Sequence, residues 1–404
     1  MTTARNVLPV SKLKNLREVG GSFLKLGLIS FGGPVAHIGY LREEFVNKRH
    51  WLDDEAYADL VALCQFLPGP ASSQVVFALG RQRAGLAGAL LASLGFTLPS
   101  AALMIFFGYS VTAVGDLHGA GWLHGLKLAA VAVVAQAVWG MGGRLCPDRA
   151  RLTLALAAAA GVLLVPSAFS QIGAIAIGAV AGWWLYRDEV EPKKMSAGAI
   201  SRDHLWAAAT LAGFALLLAI LPVLATVSGD KNIAVFDSFY RAGSLVFGGG
   251  HVVLPLLRAE TVPTGWISDD AFLAGYGFAQ AVPGPLFTFA AYLGTVMHPG
   301  SQAWLGGLWC LLAIFLPAWL LIGGALPFWH SLRTKVWAQA ALRGANAAVV
   351  GVLLAALYNP VWISGVTGGR SAALAIAAFA ALQVWKAPPW AVVLVAAGLG
   401  QAVL

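Results

Sequence analysis

Cys64-Gln65-Phe66-Leu67-Pro68-Gly69-Pro70-Ala71-Ser72-Ser73-Gln74 interrupts an apolar segment that runs from about residue 56 to residue 79. The segment is about long enough to cross a bilayer as one helix. Two prolines and a glycine nevertheless fall in its middle. Each proline removes a backbone donor and pushes the residue before it out of helical backbone, while the glycine permits a turn. The stretch therefore predicts two half-helices, residues 56–66 and 71–79, joined by an unwound link. The second starts with Ser72, Ser73 and Gln74 in its first turn. Its free N–H groups and positive dipole end suit an anion. Irregular backbone at that depth is tolerated only against protein or a water-filled cavity.

The pattern returns as Gln280-Ala281-Val282-Pro283-Gly284-Pro285-Leu286-Phe287-Thr288, 215 residues further on. The same offset carries Gln65 onto Gln280, Trp51 onto Trp266, Asp54 onto Asp269 and Ser73 onto Thr288. Upstream, Phe31-Gly32-Gly33 matches Phe247-Gly248-Gly249, and Glu44 matches Glu260, at 216 residues. Downstream, Pro99 matches Pro317. Matches in one order over about a hundred residues imply a tandem duplication. Two interrupted helices in corresponding places point to a transporter's binding site.

Composition sets the class. The 404 residues are 59% hydrophobic and 11% charged, with mean hydropathy +0.75. That excludes an ordinary soluble domain and predicts an all-α polytopic membrane protein. The net charge of +8 is read as basic cytoplasmic loops rather than nucleic-acid binding. About thirteen apolar segments suggest about thirteen spans: six per half and one linking span, which turns the second repeat upside down. The expected division is an N-terminal repeat over 1–187, a loop and linking span over 188–230, and a C-terminal repeat over 231–404. With the N-terminus in the cytoplasm, seventeen Lys and Arg fall inside and five outside, with four within spans. The bias supports that orientation. Arg42, Lys48 and Arg49 are the misfit, being placed outside. The N-terminal apolar run contains Lys25 and lacks a small-x-small cleavage site, so it reads as mature protein.

The candidate site lies between the breaks. The half-helix starts at Ala71–Ser73 and Leu286–Thr288 face it from one side. The breaks at Gly33-Pro34 and Gly249-Gly250 approach from the other. Gln65 and Gln280 brace the links or reach the ligand, and Ser72, Ser73 and Thr288 donate hydroxyls or cap helices. Pro68, Gly69, Pro70, Pro283, Gly284 and Pro285 shape the links. Lys25 and Arg241 recur at offset 216, and a basic residue inside a span is costly unless it is used. With Arg81 they are candidates to balance the anion's charge. His37, Glu44 and Glu260 are candidates for gating, although a structural role suits His37 as well. His37 and His251 do not align and lack a ligand set, so no metal is expected. No nucleotide motif occurs and no cofactor is expected. Cys64, Cys146 and Cys310 form no CxxC pair and read as inert. Chemistry alone leaves open an oxyanion carrier, an anion channel, and a membrane enzyme using His37 with Glu43 or Glu44.

Phe31-Gly32-Gly33-Pro34-Val35-Ala36-His37-Ile38, Glu44-Phe45-Val46, Trp51-Leu52, Cys64 to Pro70 and Gly80-Arg81 resemble the chromate ion transporter family. The string from Phe247 to Leu257 is similar to that family's C-terminal domain, as is Gly275-Tyr276-Gly277 leading into Gln280 to Pro285. The resemblance covers both halves and implies a long-chain, two-domain member with an antiparallel fused pair of domains. It further implies a secondary transporter in the bacterial inner membrane that exports chromate and confers chromate resistance. Sulfate would compete, and a homodimer is an admissible assembly.

Overall fold

The computed structural model describes residues 10–114, 121–165, 168–187, 202–247, 250–328 and 335–403. All regular structure among them is helical. The first half runs α1 Val10–Ile29, α2 Gly33–Arg42, α3 Asp54–Phe66, α4 Ala71–Val114, α5 Gly121–Leu145, α6 Arg149–Leu164 and α7 Ala168–Tyr186. Helix α8, Arg202–Ser228, links the halves. The second half runs α9 Lys231–Ser244, α10 Val253–Thr261, α11 Asp269–Ala279, α12 Phe289–Met297 and α13 Ala303–Ala325. It ends with α14 Val336–Ala356, α15 Gly369–Gln383 and α16 Pro389–Val403. Helix α4 is broken at Ala84-Gly85, so its parts, 71–83 and 86–114, match α12 and α13. Eight elements thus recur in the same order on either side of α8.

Local chemistry sets the ends. Asp53 caps α3 by accepting from Ala56 N, and Ser268 caps α11 by accepting from Ala271 N. The two caps occupy matched positions of the duplication. The predicted break between residues 66 and 71 is present, since α3 ends at Phe66 and α4 starts at Ala71.

The half-helices do not continue in one direction through the breaks. They fold back. Phe23 of α1 stacks on Phe45 beyond α2, with ring centroids 4.7 Å apart, and Glu18 meets Arg49 at 3.1 Å. In the second half Arg241 of α9 meets Glu260 of α10 at 2.9 Å. The Tyr292 hydroxyl of α12 donates to Ala271 O at the start of α11, 2.7 Å away. A straight run would hold Ala271 and Tyr292 tens of ångströms apart. Each half therefore carries two helical hairpins, α1/α2 and α3/71–83, or α9/α10 and α11/α12. Arg42–Asp54 at 2.7 Å and Arg258–Asp269 at 2.6 Å tie one hairpin to the next.

Two proline-bearing helices flank the hairpins. Helix α1 runs parallel to residues 86–114: a Cβ on Gly20 would lie 3.3 Å from Leu91, and one on Gly27 would overlap Gly95 O. Helix α9 meets α13 in the same way, with Gly243 against Ile314 O. The matched helices α4 and α13 pack in opposite directions. Tyr109, late in α4, donates to Ser301 O just before α13, at 3.0 Å, while Arg81, early in α4, reaches Gly323 O late in α13, at 2.6 Å.

Small residues let the remaining helices approach closely, as in membrane interiors. Gly344 of α14 lies against Gly178 and Gly182 of α7, and Gly125 of α5 against Ala396 of α16. By length and composition, five helical stretches among the described residues can cross a membrane: 71–113, 121–145, 205–228, 303–328 and 336–365. Helix α8 is largely exposed, and its Leu205, Trp206 and Val227 face outward, as on a span bathed in lipid.

Candidate functional site

The four hairpin tips converge beside Pro99 and Pro317, and each Pro-Gly-Pro link pairs with the opposite half. Gly69 N donates to Val246 O at 2.7 Å, and Gly284 N donates to Ser30 O at 2.8 Å. Ser30 and Val246 occupy matched positions, so the exchange is reciprocal, as across a two-fold axis. A Cβ on Gly250 would sit 3.2 Å from Pro34 Cγ, so the two glycine breaks also meet. Gly69 and Gly284 hold φ of +115° and +95°, where a side chain is strained. A Cβ on Gly284 would lie 2.8 Å from Ser100 Oγ, and one on Gly69 3.2 Å from Ala318 Cβ.

The first-half tip is polar and buried. His37 Nε2 lies 3.1 Å from Ser30 O, and its Nδ1 lies 3.4 Å from Ser72 Oγ. Nε2 donates, because a carbonyl only accepts, which leaves the neutral ring's Nδ1 to accept from the Ser72 hydroxyl. The His37 ring stands edge-on to Phe96 at 5.4 Å. Gln74 folds back over the link and donates from Nε2 to Pro68 O at 2.8 Å. Three buried atoms here have no partner: Ser30 Oγ, Ser73 Oγ and Gln74 Oε1. Their residues are 1%, 3% and 0% exposed. The indole N–H of Trp319, beside Ala318, is also unpartnered. Buried polar atoms ordinarily find partners, which makes this tip the candidate site. Ser30 and Trp319 escape a motif reading, whereas Gln74 closes the quoted motif without being assigned to the site. The offset of 216 residues could have flagged Ser30, because it pairs that serine with Val246.

The second-half tip differs. Thr288 spends both its N–H and its hydroxyl on Pro285 O, at 3.0 and 2.8 Å, inside a tight 3₁₀ turn over Leu286–Thr288. Phe289 occupies Gln74's place, Val253 that of His37, and Val246 that of Ser30, all fully buried. His251 instead bonds the Tyr276 hydroxyl at 2.8 Å. Gln280 is half-buried and Gln65 exposed. Gly33 and Pro34 are half-buried at the first break, and Gly249 lies outside the described residues.

The charged candidates sit away from the tips, already engaged. Lys25 lies 3.8 Å from Glu44, which also accepts from Arg49 at 2.7 Å. Arg241 bridges Asp237 and Glu260, at 2.8 and 2.9 Å, and Arg81 donates to Gly323 O. The recurring basic residues and the recurring Glu44 and Glu260 are thus ion-pair partners within each half. All three cysteines are buried and free.

Paired helical hairpins meeting at a buried polar tip, between long apolar helices, define a membrane-embedded multi-pass transporter. The chain belongs to the chromate transporter family, whose pattern matches residues 17–183 and again 233–401. It is similar to the chromate transport protein of Pseudomonas aeruginosa, 32% identical over 93% of this chain and 89% of that one. It is also similar to the probable chromate transport protein of Synechococcus elongatus, 27% identical over 88% of this chain and 87% of that one. The chromate transport protein of Cupriavidus metallidurans is 26% identical over 88% of this chain and 85% of that one. No solved structure matches the chain.

Proposed function

We propose that this protein is a secondary transporter that exports chromate across the bacterial inner membrane and so confers chromate resistance. The observation that carries the reading is the first-half tip. There, unpartnered hydroxyls and the free N–H groups at the start of α4 gather where the two halves interlock. A tetrahedral oxyanion supplies the acceptors such donors lack, and in a water-poor site the dipole end acts strongly. Charge need not be neutralised by a lysine or arginine at the tip. An oxyanion leaving a cytoplasm that is negative inside gains about 2.3 kcal/mol per 100 mV for each net charge it carries.

The topology we propose has two inverted repeats, with the antiparallel packing of α4 and α13 as its support. The four hairpins enter and leave on one side each. Nine helical segments then cross: residues 86–114 and α5 to α8, then α13 to α16. This reading replaces thirteen crossings and removes a misfit. Arg42, Lys48 and Arg49 return to the cytoplasmic side, and Arg258 moves out. Of the 26 Lys and Arg, nineteen then lie inside, three outside and four within the helical core, a stronger positive-inside bias. A cysteine introduced at Arg42 should be labelled from the same side as one at Arg17. Labelling from opposite sides would restore the crossing reading.

The functional test is chromate flux in proteoliposomes under an imposed voltage. Saturable flux with counter-transport is expected. Flux that never saturates would make the protein a channel, and no flux would overturn the proposal.

A further inference from the structure

The geometry points to Gln74 as the residue that reads a proton on the transported oxyanion, so that the site takes a tetrahedral oxyanion carrying one O–H in preference to a bare dianion. The inference rests on the reading of the first-half tip as the anion site. Gln74 is fully buried. Its orientation follows from its partner: Nε2 bonds Pro68 O at 2.8 Å, and a carbonyl accepts only from the amide's nitrogen end. Oε1 is therefore the free end, and it has no donor. Gln74 stands in the first turn of α4, one residue after Ser73, whose Oγ is also unpartnered.

A site of donors alone would suit any oxyanion. This one adds an acceptor that cannot donate. A fully ionised dianion would turn a negative oxygen toward Oε1 and leave it unpaired. An oxyanion with one O–H donates to Oε1 and offers its other oxygens to Ser73 and the backbone. Sites that hydrogen-bond a ligand's hydroxyl reject analogues lacking it, because the buried partner is stranded. Chromate takes up a proton near neutral pH, hydrogen phosphate keeps one, and sulfate is protonated only in strong acid. Phe289 at the matched position of the second half offers no such group.

Ionisable groups also stand on the elements packed around the tip, and the binding test separates them from the ligand's own proton. On α2, His37 faces Ser30 O and Ser72. On α3 stand Tyr57, whose hydroxyl donates to Ile38 O, and the buried Cys64. On α1, Lys25 is paired with Glu44; on α4, Arg81 bonds Gly323 O; in the second half, His251 bonds Tyr276. Protonating His37 would favour every anion alike, sulfate included. A proton on the ligand favours only chromate.

The experiment is equilibrium binding to the purified full chain, with chromate, sulfate and phosphate compared from about pH 8 to about pH 6, the range in which histidine also titrates. Chromate affinity should rise about tenfold toward acid while sulfate stays weak and flat, and phosphate should compete throughout. Gln74→Leu should bring chromate down to the sulfate level and flatten its pH dependence. The wild-type comparison decides the matter even where that variant fails to fold. Chromate binding with sulfate equally tight, or with sulfate affinity rising in step, overturns this proposal alone. Binding of none of the three anions overturns it together with the reading on which it rests.

Discussion

The two Pro-Gly-Pro tips share one backbone plan and differ in chemistry. Each link donates its glycine N–H to the opposite half, 2.7 Å in one case and 2.8 Å in the other. Around the first stand His37, Ser30, Ser72, Ser73 and Gln74, while Val253, Val246, Phe287, Thr288 and Phe289 stand around the second. The first leaves two hydroxyls and the Gln74 amide oxygen unpartnered, while the second turns the Thr288 hydroxyl inward to Pro285 O and leaves the Gln280 amide nitrogen unpartnered. Duplication supplied a symmetric frame, and divergence gave the two tips different side chains.

The largest expected effect tests the ion pairs behind the tips. Arg241 is 24% exposed and holds two carboxylates, Asp237 and Glu260. Arg241→Gln strands both and should cost about 3–5 kcal/mol of stability in detergent unfolding. Lys25 is 59% exposed, and its partner Glu44 keeps Arg49, so Lys25→Gln should cost under about 1 kcal/mol. Equal losses would show that the halves are alike after all.

Next come the links. Gly69→Ala and Gly284→Ala should each introduce strain of about 1–3 kcal/mol and abolish transport. Gly284→Ala should be the worse folder, since its Cβ meets Ser100 Oγ at 2.8 Å. Transport surviving in either variant would show that the unwound link does not depend on glycine.

The smallest effect sharpens the comparison most. Ser73→Ala should weaken chromate affinity about tenfold, roughly 1.4 kcal/mol, while leaving the fold intact. Thr288→Val should leave affinity unchanged and lower stability by about 0.5–1.5 kcal/mol through loss of its bond to Pro285 O. A drop in affinity for the Thr288 variant would bring the second tip back into the site.

Much of this was legible from residue order. Prolines and glycines break helices by local sterics, so the ends at Phe66 and Ala71 and the repeat at offset 215 needed no fold. The family followed from the same strings. The charged candidates show where legibility ended. Lys25 and Arg241 are visible as basic residues in apolar segments, yet their partners Glu44 and Glu260 come into reach only when α1 and α9 fold back on α2 and α10. A break marks where the chain can turn. Whether it continues across or doubles back depends on packing against Pro99 and Pro317 helices more than fifteen residues away. By itself the sequence determined the membrane class, the duplication and the position of each unwound link, because these rest on composition and on backbone constraints within a few residues. Only the tertiary structure decided that the links pair with the opposite half, that the hairpin tips converge, and that the first tip keeps two hydroxyls unpartnered. Those facts depend on which side chains distant segments bring together.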